Sequence, residues 1–337
     1  MERKLAILIT VGIFSATVNP TFAQTFSSKT VKLIVPYAPG GSYDVYARVV
    51  AEHLRLHLPD VKSIVVQNMP GAGGMTAVQN LYSREAPDGT SIAIMPRDVA
   101  TNQILRPEIA KYDARKFSWV GSVAAYAGVL YVAANTNVRS VDDLKKREII
   151  IGAWGQGTES FTTPMILNAV VGTKFKIVSG YAGGPEVDLA VERGEAEGRV
   201  ASWTFLKTQR PDWLTSKFIT TPFQTGLKRH PELPNIPLIT ELAQDEAGKQ
   251  ILNIMNADSG IGWSFAAPPG MSVEMLGLFR TAFDKTMADK EFMSDADKRG
   301  LEILPSTGAE IQNLVNVTLS TPPSVITKLR ALLGAAK

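Results

Sequence analysis

The chain alternates short apolar runs with breaks rich in glycine and then with apolar positions at helical spacing. The first unit starts with a β-branched run at residues 31–35, which predicts a strand. Proline and glycine interrupt the pattern at residues 36–41. Beyond this break, apolar residues recur at i, i+3, i+4, i+7 and i+11. This spacing predicts an amphipathic helix through Ala47, Val50, Ala51, Leu54 and Leu58.

Two residue types mark where the predicted helices begin. Ser42 is a natural N-cap for the first helix, and Asp44 then lies in its first turn, where a carboxylate suits the helix dipole. Pro164 follows Thr163 and fits the first position of a helix that ends near residue 171. Both assignments place a loop directly before a helix.

The same order of strand, loop and helix occurs three more times. The predicted strands are residues 63–66, 149–151 and 176–178. The loops are residues 68–74, 152–157 and 181–184. Helices follow the first and third loops from near residues 75 and 185, and the helix after the second loop runs to about residue 171. Alternation of this kind predicts an α/β protein with largely parallel sheets.

The four units fall into two pairs, which predicts two lobes. Further strands are expected at residues 91–95, 129–133, 218–221 and 261–266, and further helices at 273–287 and after 307. No low-complexity linker separates the pairs, so we expect lobes joined by crossing strands. Lobe one comprises residues 24–123 and 259–337, and lobe two comprises residues 124–258.

Composition excludes several classes of function. The 337 residues are 45% hydrophobic and 20% charged, which is typical of a globular protein. There is no cysteine, so disulfides, thiolate catalysis and cysteine zinc sites are impossible. The net charge is +3 with no basic block, and nucleic acid is therefore not an expected partner.

The first 23 residues have the layout of a cleaved secretory signal peptide. A short charged start precedes an apolar run at residues 5–18, and Thr21 and Ala23 place small residues before a cleavage point. The apolar run is shorter than a membrane span requires. We therefore expect export to the periplasm as a soluble chain.

Four loops end at predicted helix N-termini, at residues 40–42, 73–76, 157–160 and 183–185. Such an end presents unpaired N–H groups and a partial positive charge, and glycine lets a ligand approach the backbone closely. Each loop alone is also compatible with an ordinary tight turn. Two such loops in each lobe favour a cleft that holds an anionic small molecule.

Several motifs resemble one family. They are VPYAPGGSYDVYAR at residues 35–48, NMPGAGG at 68–74, PDG at 87–89, YAGG at 181–184 and APPG at 267–270. In this order they are similar to the Bug/TctC family, the extracytoplasmic solute receptors of tripartite tricarboxylate transporters. The resemblance implies a two-lobed fold like that of periplasmic binding proteins, with a ligand cleft between the lobes. It also implies a carboxylate-bearing ligand and integral-membrane transporter subunits as partners. The chain departs from the pattern at residues 155–161 and 202–214, so the ligand is not specified.

The interpretation is a solute-binding protein that captures a small organic acid for uptake and acts as a monomer, with no cofactor, metal or catalytic residue. Tyr37 and Tyr181 could wall the pocket, and Arg97 could bind a carboxylate bidentately or form an ion pair with Asp98. The candidate ligand-binding residues are Tyr37, Pro39, Gly40, Gly41, Ser42, Asp44, Gly71, Ala72, Gly73, Gly74, Thr76, Arg97, Gly157, Thr158, Glu159, Ser160, Tyr181, Gly183, Gly184 and Ser202.

Glu159 has two alternative roles: it caps a helix or faces solvent, or it projects into the cleft and repels a second ligand carboxylate. Two other functions also stay open for the whole chain. A periplasmic α/β hydrolytic enzyme is disfavoured because the three histidines and absent cysteines yield no evident nucleophile and base. A ligand sensor for a signalling partner is not distinguishable from a transport receptor by sequence. His53 and His57, at i and i+4, are expected on a solvated helix face.

Overall fold

The computed structural model describes residues 30–155 and 158–334. The predicted signal peptide and Gly157 lie outside these ranges. The described strands form two sheets, and we call the part around each sheet a lobe. The sheet of lobe one has the strand order β11-β4-β10-β3-β1-β2. Its strands are β1 Thr30–Val35, β2 Ser63–Asn68, β3 Ser91–Ile94, β4 Ser118–Ser122, β10 Ser264–Ala267 and β11 Ser306–Thr307.

The sheet of lobe two has five strands in the order β7-β6-β8-β5-β9. They are β5 Gly128–Ala133, β6 Ile149–Ala153, β7 Phe175–Ser179, β8 Gly198–Ser202 and β9 Ile219–Thr225. β5 and most of β6 are buried because both faces of this sheet are covered: Leu130 and Ile151 pack into one core and Tyr131 packs into another.

The helices pack on both sheets. They are α1 Ser42–His57, α2 Met75–Ser83, α3 Val99–Leu105, α4 Glu159–Val170, α5 Gly184–Glu192, α6 Trp203–Gln209, α7 Pro211–Thr215, α8 Glu246–Ile261, α9 Val273–Ala288, α10 Lys290–Lys298, α11 Gly308–Leu319 and α12 Pro323–Leu332. In the described ranges, no helix combines the length and the apolar character that a membrane crossing requires.

The first predicted helix forms as expected because its apolar face is buried against the sheet of lobe one. Ala47, Val50 and Leu54 are fully buried in α1 and belong to the core that also contains Phe279 and Phe283 of α9. Burying each large apolar side chain contributes about 1.5–3 kcal/mol to folding. This packing fixes the N-terminal end of α1 at the carboxyl end of β1.

Both predicted helix starts are wrong in detail. Gly41 is the N-cap of α1, and Ser42 is already its first helical residue. Pro164 lies inside α4, because the chain turns helical earlier, directly after the extended N-cap Thr158. Asp44 is in the first turn of α1, as predicted.

The fold class is confirmed as α/β, but the sheets are mixed rather than largely parallel. In lobe one, β1 pairs in parallel with β2 and β3, whereas β4, β10 and β11 pair antiparallel. In lobe two, β6 pairs in parallel with β7 and β8, whereas β5 pairs antiparallel with β8 and β9. The antiparallel strands include those that lead from one lobe to the other. The predicted strand at residues 261–266 is shorter, because Ile261 still belongs to α8.

Two of the segments that cross between the lobes hydrogen-bond to each other. One runs from β4 to β5, and the other joins α8 to β10. Trp263 donates its amide to the carbonyl of Ala124 over 3.1 Å, and Tyr126 donates its amide to the carbonyl of Ser259 over 2.7 Å. A paired crossing of this kind is suited to hinge bending.

The lobe boundaries stay a prediction, although both sheets lie within the proposed segments. The exception to a simple division is the C-terminal helix α12, which sequence reasoning assigns to lobe one. Its Leu329 is fully buried in the core that contains Leu130 and Ile151 of lobe two. Arg330 of the same helix donates to the carbonyl of Ile104 in the proposed lobe one, so α12 contacts both lobes.

Candidate ligand-binding cleft

A cleft separates the carboxyl ends of β1 and β3 in lobe one from α5 and β8 in lobe two. Residues from both lobes line it, and six of them are aromatic. Tyr37, Tyr43, Tyr126 and Trp263 come from lobe one and the crossing segments, and Trp154 and Phe205 come from lobe two. A mostly apolar cleft with a few convergent polar groups is the usual form of a small-molecule site.

The lobe-one wall is the N-terminal end of α1. Gly41 and Ser42 line the cleft there. The amides of the first helical turn have no partner within the helix and carry its positive end. Gly40 adopts the left-handed φ of +86°, and its amide donates to Asp44 over 3.0 Å. Gly41, the next residue, is the N-cap at which the unpaired amides of α1 begin.

The lobe-two wall combines a second helix start with the end of a strand. Gly183 and Gly184 line the cleft at the N-terminal end of α5. Ser202, the last residue of β8, also lines it, and its hydroxyl accepts a hydrogen bond from the Phe205 amide over 3.2 Å as the N-cap of α6. Two helices from opposite lobes, α1 and α5, therefore present their positive ends to one space.

Arg97 lies between the lobes at the back of the cleft. Its guanidinium forms an ion pair with Glu159 at the start of α4 and lies 3.4 Å above the ring centre of Tyr126. Its backbone amide donates to the hydroxyl of Tyr43 over 3.2 Å. Burial alone would lower the pKa of Arg97, but the Glu159 carboxylate and then Tyr126 raise it well above its usual value. Arg97 is therefore permanently charged.

A second arginine forms the floor of the cleft. Arg199 on β8 binds Asp188 of α5 through two hydrogen bonds of 2.6 and 3.1 Å. Tyr131 donates its hydroxyl to the same carboxylate over 2.5 Å. Asp188 is fully buried. Burial alone would lower the pKa of Arg199, but the Asp188 carboxylate more than offsets this effect and raises the pKa of the guanidinium.

A larger cavity of about 480 Å³ lies behind the pair of Arg97 and Glu159. Asp98 and Asp258 line it together with Glu159. Burial raises the pKa of Asp98 to about 7, with Arg97 opposing and Glu159 adding to the shift. Burial likewise raises the pKa of Asp258, whose carboxylate accepts a hydrogen bond from Thr101. Its lining carries more acidic than basic side chains, with Asp98, Glu108, Glu159 and Asp258 against Arg97 and Arg106, and this balance disfavours an anion.

The structure brings part of the predicted set together. Seven of the predicted residues line the cleft: Tyr37, Gly41, Ser42, Arg97, Gly183, Gly184 and Ser202.

A second group of predicted residues lies beside the cleft, where the lobes touch. Ala72, Gly73 and Thr76 line a separate groove there, and Gly71 and Gly74 shape the same turn with positive φ angles.

Thr158 and Ser160 are buried at the lobe-two side of this contact, and Thr158 donates its hydroxyl to the carbonyl of Gly155 over 2.7 Å. A Cβ added to Gly155 would lie only 3.2 Å from the Cα of Gly73. These residues set how closely the lobes approach.

The remaining predicted residues have other partners. Asp44 is buried and binds Arg48, Asn68 and the amide of Gly40. Burial alone would raise the pKa of Asp44, but these hydrogen bonds lower it below its usual value. Pro39 and Gly40 are exposed in the turn, and Tyr181 packs at the edge of the lobe-two core.

Glu159 does not follow the capping or solvent interpretation. Its carboxylate reaches Arg97 across the lobes and accepts a hydrogen bond from Thr225 over 3.3 Å.

Sequence reasoning missed most of the rings and the buried ion pair. Trp154 follows β6 directly, so its place at a strand end was a usable signal. Arg199 offered a second usable signal, because a charged residue within the strand β8 requires a partner when it is buried. Tyr126 and Trp263 lie in the crossing segments, where no local pattern indicates that they face a ligand.

The fold is that of a two-lobed protein, and the cleft between its lobes has the usual form of a small-molecule site. Residues 46–331 match the family model described as "Tripartite tricarboxylate transporter family receptor". The chain therefore belongs to this receptor family.

The chain is also similar in sequence to a known protein, and it shares its fold with solved structures. The chain is 24% identical over 248 residues to the "UPF0065 protein in tcbD-tcbE intergenic region" of Pseudomonas sp. (strain P51), covering 72% of this chain and 71% of the relative. It resembles the structure of the periplasmic binding protein BugD, with a TM-score of 0.71 and 22% identity over 90% of this chain and 97% of that chain. It also resembles R. palustris Rpa4515 with adipate, with a TM-score of 0.70 and 21% identity over 91% and 98% of the two chains.

Proposed function

We propose that this chain is a periplasmic receptor that captures a small carboxylate-bearing organic acid between its lobes. It then delivers the acid to the integral-membrane subunits of a tripartite tricarboxylate-type transporter, acting as a monomer. Membership of a receptor family favours binding and delivery over a hydrolytic reaction. The adipate bound by a protein of the same fold agrees with an acid as ligand.

One observation carries the proposal: the N-terminal ends of α1 and α5 face the same cleft from opposite lobes. Backbone N–H groups and helix dipoles at such ends stabilise a carboxylate. The larger cavity behind Arg97 is lined by four acidic side chains and two arginines, a balance that favours the cleft over this cavity as the place for an acid. Closure of the lobes would exclude water and strengthen these interactions.

A thermal-shift screen tests the ligand class. The probes are acetate, benzoate, adipate and citrate, each paired with its neutral amide. A ligand present at 100 times its Kd stabilises the folded chain by about 2.7 kcal/mol. We expect at least one acid to raise Tm while its amide does not. If no acid raises Tm, or if the amides act equally well, a carboxylate is not what the cleft recognises.

A variant at the start of α1 tests the site. Gly41 has a φ of −81°, and an added Cβ would meet only the Ala38 carbonyl, at 4.0 Å. Gly41→Val should therefore fold, but its side chain should block the amides and abolish the acid-dependent rise in Tm. Gly277→Val, a matched change on α9 with nothing within 4 Å of the added Cβ, should keep that rise. Equal shifts in both variants would remove α1 from the site.

Delivery is tested in cells. Deleting the gene for this chain should abolish uptake of the labelled acid found by the screen, and restoring it should restore uptake. Unchanged uptake, together with loss of an acid-dependent transcriptional response, would instead identify a sensor for a signalling partner.

A further inference from the structure

The rings of the cleft form a continuous surface. Tyr43 packs 4.7 Å from Tyr37 and 4.7 Å from Trp263, measured between ring centres, and Tyr126 lies 5.8 Å from Trp263. Trp154 and Phe205 line the same space from lobe two. Rings on two facing walls are suited to a flat or compact apolar body, which offset stacking and edge contacts stabilise.

The charged side chains of the cleft are already neutralised. Among the described residues that line it, those with a charge are Arg97 and Arg199. Arg97 is paired with Glu159, and Arg199 is paired with Asp188. The positive groups that remain are the ends of α1 and α5, each equivalent to about half an elementary charge, and Asp44 and Glu186 in their first turns offset part of it. Together the helix ends balance at most one ligand carboxylate.

A second ligand carboxylate would meet unfavourable surroundings. Arg97 is the group that could receive it, but Glu159 occupies the guanidinium from the lobe-two side. A further anion there would also approach the Glu159 charge itself, and like charges at short range repel strongly where water is excluded. Buried charges without a partner are costly, so the rings offer no alternative place for it.

We infer that the ligand is a monocarboxylic acid whose body is an aromatic or compact apolar ring, and that the cleft discriminates against di- and tricarboxylates. The inference rests on the proposed function, since it specifies which acid the same cleft takes. The rings hold the body of the acid, the helix ends hold its carboxylate, and Glu159 is the residue that excludes a second carboxylate.

Isothermal titration calorimetry of the parent chain tests the ligand class directly. The probes are benzoate and terephthalate, which share a ring and differ by one carboxylate, and cyclohexanecarboxylate, adipate and citrate. Benzoate should bind at least tenfold more tightly than terephthalate, adipate and citrate, and cyclohexanecarboxylate should also exceed all three. Tighter binding of terephthalate, adipate or citrate would overturn the inference while leaving the proposed function intact. Binding of no acid at all would instead remove the proposed function.

Substitution of the lobe-two rings tests their role. Phe205→Leu and Trp154→Leu should each weaken benzoate binding about tenfold, or about 1.4 kcal/mol, because each loses a stacking surface. Tyr82→Leu is the matched control, since Tyr82 packs against Tyr112 and Phe117 away from the cleft. Its affinity for benzoate should equal that of the parent. Unchanged affinity in both lobe-two variants would show that the rings do not hold the ligand.

Glu159→Gln tests the exclusion of a second carboxylate. The ratio of the benzoate and terephthalate affinities should shift about tenfold toward terephthalate, because Arg97 becomes free to receive the second carboxylate. The ratio cancels any common effect of the substitution on lobe closure. A ratio equal to that of the parent would show that Glu159 does not set the preference, and the parent panel decides the ligand class even if this variant folds poorly.

Discussion

The guanidinium of Arg97 in lobe one is paired with the carboxylate of Glu159 in lobe two, directly behind the cleft. Both side chains are largely buried, with 9% and 15% of their surface exposed. The hydroxyl of Thr225 adds a hydrogen bond to the same carboxylate. The pair therefore holds the lobes together at the back of the cleft.

Removing this pair should open the unliganded molecule. In Glu159→Gln the charge that attracts Arg97 across the lobes is lost, and a hinge with paired crossing segments allows the lobes to separate. Small-angle X-ray scattering should show a larger radius of gyration than for the parent.

The control for this experiment is Glu241→Gln, which breaks an exposed ion pair with Arg229 within lobe two. Its radius should equal that of the parent. A radius unchanged in Glu159→Gln as well would show that other contacts, such as that of Gly73 with Gly155, hold the lobes together.

The buried carboxyl of Asp98 should make stability depend on pH. Burial raises its pKa from 3.8 to about 7, so the folded chain keeps a proton that the unfolded chain releases. The free energy of unfolding should therefore fall as pH rises from about 4 to 7, by on the order of 4 kcal/mol from this group alone.

The measurement is urea unfolding at several pH values between 4.5 and 7.5. Asp98→Asn cannot titrate, so its unfolding free energy should fall less steeply over this window, by about one proton. Asp142→Asn, an exposed substitution on the surface of lobe two, should follow the parent. Parallel curves for Asp98→Asn and the parent would contradict the assigned shift.

The buried ion pair of Arg199 and Asp188 should contribute strongly to the free energy of unfolding. In Arg199→Met the carboxylate of Asp188 stays fully buried and keeps Tyr131 as its donor, with Arg210 3.8 Å away. Breaking one partner of a buried pair costs about 3–5 kcal/mol. Urea unfolding of Arg199→Met should show a loss of this size, whereas Arg199→Met combined with Asp188→Leu should recover most of it. A loss equally large in the double variant would show that packing, not the unpaired charge, causes the effect.

The sequence predicts those helices and strands that are determined by interactions between residues close in the chain. Apolar spacing locates α1 to within a residue at its end, because the residues that bury its face are those that set the period. The start of a helix is less readable. Gly41 and Ser42 are both acceptable N-caps, and the turn built by Gly40 and Asp44 decides between them.

The residues of the candidate site also differ in how far the sequence predicts them. Gly41, Ser42, Gly183 and Gly184 are readable because a glycine break before a helix is a local feature. The pair of Arg97 and Glu159 is not, since it joins residues 62 positions apart. The rings of Tyr126 and Trp263 are likewise indistinguishable in sequence from core side chains, and only the packing of the lobes turns them toward the cleft.

The most direct test of the central claim is a crystal structure of the chain grown with the tightest-binding acid of the calorimetric panel. We expect the acid to lie between the lobes, with its carboxylate within about 3 Å of the amides of Ser42 or Tyr43 and its body between the rings. Density for the acid in the larger cavity beside Asp98 and Asp258, with the cleft empty, would contradict it.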